Sequence, residues 1–206
     1  MNTRKLFISA AQSACWLLAA ASSAMAAGAA PDALVKSTVA DVVAVIKQNK
    51  DKQVLRQLTE QKVLPHFDFK RMTQLAVGKA WREANQTQQQ ALESGFRTLL
   101  VNTYTNVLKR SAAADRVAID VAPVRPQSGQ DEVTVKTVVK QSGKQPLAID
   151  YRMQSTADGW KVYDVVVENI SLVVNYRASF EAEISHSGVD GLIKVLDEKN
   201  RALAKS

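Results

Sequence analysis

The spacing of apolar residues along this 206-residue chain changes period twice, and this constrains the fold more than any other feature. As far as Leu108, apolar side chains recur at helical spacing, which gives each segment one buried face. From Val117 they alternate, as in a strand half-buried in a sheet. Past Asn169 the helical spacing returns. This pattern predicts the α+β class: a curved four-stranded antiparallel sheet with helices packed on its apolar face.

The first helical stretch has Asp32 as a candidate cap and places Val35, Val39, Val42, Val43 and Ile46 on one face. Ala27 to Pro31 before it read as a loose, small-residue leader. A second helix, about Val54 to Leu64, stops near Pro65. Asp68 caps a third, carrying Phe69, Met72, Leu75 and Ala76, with Gly78 where a C-terminal glycine belongs. Thr87 with Gln90 has capping-box spacing and opens the longest helix, to about Arg110. Its apolar face is Ala91, Phe96, Leu99, Leu100, Tyr104, Val107 and Leu108, and Gly95 permits close approach. About 24 residues at 1.5 Å each span about 36 Å, so this helix needs a large partner surface. The following sheet is the partner expected.

Four strands are predicted: Val117 to Val124, Glu132 to Lys140, Leu147 to Met153, and Trp160 to Glu168. Turns at 126–129, Ser142-Gly143 and Asp158-Gly159 make them a meander. A helical stretch then carries Leu172, Val173, Tyr176, Phe180 and Ile184, and a last one runs from about Val189 through Leu192, Ile193 and Leu196.

The N-terminus has the layout of a secretory signal: Arg4 and Lys5, an apolar stretch from Leu6 to Ala21, then Ala24-Met25-Ala26. Residues 1–26 are expected to be removed, leaving 27–206 as a single domain. A membrane anchor is the competing reading, but Ser9, Gln12 and Ser13 interrupt the apolar stretch. Cys15, the sole cysteine, falls inside it, so the mature chain offers no disulfide or thiolate metal site. Removing Arg4 and Lys5 from 27 basic residues leaves 25 against 20 acidic ones, a net charge of +5. No run of Lys or Arg is long enough to track a phosphate backbone, so nucleic acid is not an expected partner.

Motifs for chemistry are scarce. The sequence contains no G-x-S-x-G elbow, glycine-rich phosphate loop or H-E-x-x-H, and only two histidines. His186, Ser187 and Asp190 have the letters of a triad, but they crowd into five residues, where a solvated helix junction is the plainer reading. His66, between Pro65 and Phe67, has no second ligand at metal spacing and reads as a packing or surface histidine. Asp150 alternates against the apolar face and should point to solvent. Asp164 shares its alternation with Val162 and Val166; as a pocketed carboxylate near Tyr104 or Tyr151 it would suit an enzyme acting on a small apolar substrate. Aromatic and Met residues distributed over several elements, including Trp81, Trp160 and Tyr163, suit either an ordinary core or an apolar ligand.

Two segments carry a resemblance. The first is FDFKRMTQLAVGKAWREANQTQQQALESGFRTLLVNTYTNVL, Phe67 to Leu108; the second is GWKVYDVVVENISLVVNYRASFEAEI, Gly159 to Ile184. The FDF, the Gly-x-x-Trp, the Gln-rich helix start and the YDV strand leading to NYR resemble the periplasmic phospholipid-binding component of the Mla lipid transport pathway, the toluene-tolerance auxiliary family. Asn169 stands where relatives often carry glycine, a conservative change because asparagine tolerates left-handed geometry. The resemblance implies a monomeric, non-enzymatic periplasmic carrier with no metal or cofactor and with phospholipid as cargo. It further implies exchange with an outer-membrane lipoprotein complex and with the MCE subunit of an inner-membrane ABC transporter, maintaining outer-membrane lipid asymmetry. The alternative is an enzyme or small apolar-ligand binder with a cone-shaped pocket. Combined with the faces read above, the expected lining of an enclosed lipid cavity is Phe69, Met72, Leu100, Tyr104, Val135, Val139, Ile149, Tyr151, Val165, Tyr176 and Phe180.

Overall fold

A computed structural model describes residues 29–48, 52–111 and 117–205. The expected signal segment with Cys15 lies outside the described residues, as do the side chains of Ile46, Val107 and Leu108. Helix α1 is Pro31–Gln48 and α2 is Lys52–Leu58, followed by a π-helical turn, Thr59–Val63, and a 3₁₀ turn, Leu64–His66. Then come α3 (Phe69–Val77), α4 (Ala80–Glu83) and α5 (Gln86–Ser111). The sheet follows as β1 (Val117–Val121), β2 (Glu132–Gln141), β3 (Leu147–Thr156), β4 (Gly159–Val167) and β5 (Ile170–Ser171), and α6 (Leu172–Ala204) ends the chain.

Local chemistry explains the helix ends. Pro31 is buried and is the first residue of α1, a position where its missing N–H costs nothing; Asp32 sits in the first turn rather than at the cap. Asp68 caps α3 by accepting from the Arg71 N–H at 2.8 Å, and Gly78 ends it with φ 67°. The capping box of α5 is not Thr87 with Gln90. Asn85 accepts from the Gln88 N–H at 2.9 Å, and the Gln88 side chain accepts from the Asn85 N–H at 3.0 Å. In α6 the Ser171 hydroxyl accepts from the Val174 N–H, and a kink at Gly188 (φ 73°) marks the expected junction.

The sheet is antiparallel in order β1-β2-β3-β4-β5, so it has five strands rather than four. The additional strand arises because Glu168 and Asn169 both take positive φ, 48° and 66°, which makes a two-residue hairpin loop. That loop folds Ile170 back beside Val167. A bulge in β4 leaves Tyr163 unopposed: Arg152 pairs with Asp164 while Met153 pairs with Val162. Alternation therefore changes phase, and Val162 and Val165 share the apolar face while Asp164 lies on the other.

Two cores result. The helical core gathers α3, α4, α5 and α6 around Met72, Trp81, Leu92, Phe96 and Leu196. The sheet core is Val133, Val135, Met153 and Val162, covered by Val35 of α1 with Leu34 and Val39 beside it. Phe67 is packed against both. The long helix α5 thus finds its partner in α6 instead of the sheet, because Gly95 lets Leu196 approach to where a Cβ would stand 3.3 Å away. α1 takes the place on the apolar face that was expected for α5.

Candidate functional site: the apolar face of the sheet

Strand register arranges the apolar face in rows. Val133, Met153 and Val162 form the lowest; Val135, Tyr151 and Val165 the next. Above them one row crosses all five strands, Val121, Thr137, Ile149, Val167 and Ile170. Ile119, Val139 and Leu147 lie above that. The lowest row is buried under α1, and exposure rises upward: Leu147 is 38% and Ile170 65% exposed. Ile119, Val139, Ile149 and Val167 are half-buried and belong to neither core. The only polar side chain in the third row is quiet, since the buried Thr137 hydroxyl donates to the Ile149 carbonyl at 2.6 Å.

All five expected sheet residues, Val135, Val139, Ile149, Tyr151 and Val165, therefore share this face. The helical residues are placed differently. Met72, Leu100 and Phe180 are buried within the helical core, and Phe69 stacks on Phe67 with centroids 5.8 Å apart. Phe96 meets Tyr176 and Phe180 edge-on at 5.0 and 5.1 Å. Tyr104 is 39% exposed, and burial of its phenol, with the Tyr176 phenol beside it, pushes its pKa up to about 12. Tyr176 is raised by burial too, with a hydrogen bond to Thr103 working against the shift. Burial also raises Tyr151, whose hydroxyl has no hydrogen-bond partner among the described residues.

The enclosed cavity expected from the sequence is not formed by the described residues, because Met72, Leu100 and Phe180 are taken up in the helical core. Two concavities among the described residues are open grooves. One of about 470 Å³ lies beside Leu64, Phe67, Phe69, Arg97 and Lys161, and another of about 350 Å³ runs along α3 near Arg71 and Leu75. Ile119, Leu147, Val167 and Ile170 share the apolar face but were not among the expected lining residues. Alternation from Ile149 gives Leu147 and alternation from Val165 gives Val167, whereas Ile119 joins them only through the pairing of β1 with Val139, and Ile170 depends on the unforeseen hairpin.

The candidate catalytic groups are otherwise engaged. The Asp164 carboxylate is buried and accepts from the Ser171 hydroxyl at 2.6 Å, the Val173 N–H at 3.1 Å and Arg152 at 3.2 Å. It ties β4 to the start of α6 and faces away from Tyr151. Ser187 donates to the Glu183 carbonyl and carboxylate, while Asp190 accepts from Gln88, so the triad letters do not converge. His66 is half-buried, and burial followed by nearby Lys161 lowers its pKa. Among the described residues no cluster of three metal-ligating side chains forms, and no helix is long and apolar enough to cross a membrane.

The family described as MlaC protein matches residues 36–198. Among solved structures, the phospholipid-binding protein from Ralstonia solanacearum, in complex with a phospholipid, is similar: 38% identical, with a TM-score of 0.77, over 85% of this chain and 99% of its own. With a match spanning most of the sequence and a fold shared at that identity, the chain belongs to the MlaC family.

Proposed function

We propose that the chain is a phospholipid carrier of the periplasm, exported by cleavage after Ala26, that takes acyl chains against the open rows of its sheet and catalyses no reaction. The observation that carries the reading is the half-covered apolar strip around Ile149, in a chain 38% identical to a protein holding a phospholipid. Tyr104, Tyr176 and the neighbouring helical residues are the opposing wall in this reading, and the partners are an outer-membrane lipoprotein complex and an MCE subunit.

The physical need is large. At about 0.8 kcal/mol per methylene, an acyl chain of about 15 methylenes loses about 12 kcal/mol on entering water, and two chains lose about 24. A barrier of about 24 kcal/mol gives escape at about 10⁻⁵ per second. Carriage against an apolar wall, with loading and release in contact with a partner, removes that barrier.

Purification without detergent, followed by native mass spectrometry and lipid extraction, tests the proposal. Stoichiometric phospholipid is the expected result, and a lipid-free, well-folded protein would sink the reading. Val165→Asp and Tyr176→Asp should lose the lipid while keeping native circular dichroism.

A further inference from the structure

The rows of the apolar face differ in one respect that bears on cargo. From Val133 up to Leu147, every side chain is aliphatic, Met or Thr except Tyr151, which stands between Val135 and Val165. Below it, the Val133–Met153–Val162 row is sealed by Val35 of α1. Above it, Thr137 is buried and Val121 packs on the closed core, but Ile149, Val167, Ile119 and Val139 are half-buried outside both cores and lead to exposed Leu147 and Ile170. Tyr151 is thus the border between closed core and open face. Its hydroxyl agrees with that position. It has no partner among the described residues, and the ring that carries it packs against the sealed core below.

An acyl chain laid along the strands from the Leu147 end would pass two rows, about 13 Å of strand, before meeting the phenol. Valines on either side are too short to obstruct it. We propose that Tyr151 is the floor of the apolar site and selects cargo by acyl-chain length, a role that rests on the carrier reading above. The bulk of the ring sets the limit, so Phe serves in its place and Trp tightens it.

The test is competitive loading of the purified full chain from an equimolar mixture of dimyristoyl and distearoyl phospholipid with the same headgroup, with bound species read by native mass spectrometry. A methylene too many in an apolar pocket changes discrimination by about ten-fold, so Tyr151→Ala should move the distearoyl-to-dimyristoyl ratio upward by about ten-fold or more. Tyr151→Phe should match the parent ratio and Tyr151→Trp should move it downward. Tyr151→Leu supplies the enlarged site should the alanine variant fail to fold. An unchanged ratio in folded Tyr151→Leu or Tyr151→Ala overturns the proposal, and so does Tyr151→Phe behaving like Tyr151→Ala. A parent protein that binds neither lipid overturns the carrier reading instead, whatever the variants do.

Discussion

Removing the Asp164 carboxylate strands three donors at once: the Ser171 hydroxyl, the Val173 N–H and the Arg152 guanidinium. Asp164→Ala is expected to cost about 3 kcal/mol, because a buried charge-assisted network is broken from its centre. Asp164→Asn should cost less, since the amide keeps one acceptor. Urea midpoints for the two variants check this, and two midpoints equal to the parent's would refute the cap. His66 makes a pH-dependent contribution whose sign follows from its lowered pKa. Its folded value lies below its ordinary 6.5, so the unfolded chain binds the proton more readily and stability falls as pH drops through that range. Thermal unfolding between about pH 7.5 and 5 should show this slope, flattened in His66→Gln.

At the level of elements, helix α5 separates what local patterning resolves from what it does not. Its existence and length follow from the helical period, but the capping residue was misplaced by two positions because two glutamine-rich readings compete there. Asn85→Ala should therefore cost about 1 kcal/mol while Thr87→Ala, at an exposed site, changes little; equal effects would count against the assigned box. The face was misread in part as well: Leu92 is fully buried, whereas Ala91 was the residue expected there. Its partner was legible only as a need. Gly95 signalled close approach, yet nothing local identifies Leu196, over a hundred residues on, as the side chain that approaches. Gly95→Val should cost about 2 kcal/mol by overpacking that contact, measured by denaturation. The β4 bulge and β5 were hidden for a related reason: a one-residue change of phase leaves the composition of YDVVVENIS unaltered but reassigns every side chain after it.

The whole molecule is two cores meeting at Phe67, which packs on both and whose neighbour Asp68 donates its N–H to the Val162 carbonyl at 2.8 Å. A polar clasp reinforces the seam, where Arg71 of α3 reaches Glu132 of β2 and lies over the Tyr163 ring at 4.2 Å. Its hydrogen bonds with Arg71, then with Tyr163, hold the Glu132 pKa below the usual value. Phe67→Ala is expected to cost about 3 kcal/mol and to lower hydrogen-exchange protection in both cores; loss confined to one would show that they are not joined there. The sequence alone determined the class of fold, the order of its long helices and first four strands, the helix stop at Gly78, and most of the sheet residues that share an apolar face, because each depends on period and backbone preference within a short window. Tertiary structure decided which surfaces meet: α5 on α6, α1 on the sheet, Asp164 beneath the start of α6, and an open strip of apolar rows bounded by Tyr151. Those choices depend on side-chain volumes brought together from distant parts of the chain, and close packing admits few ways of combining them.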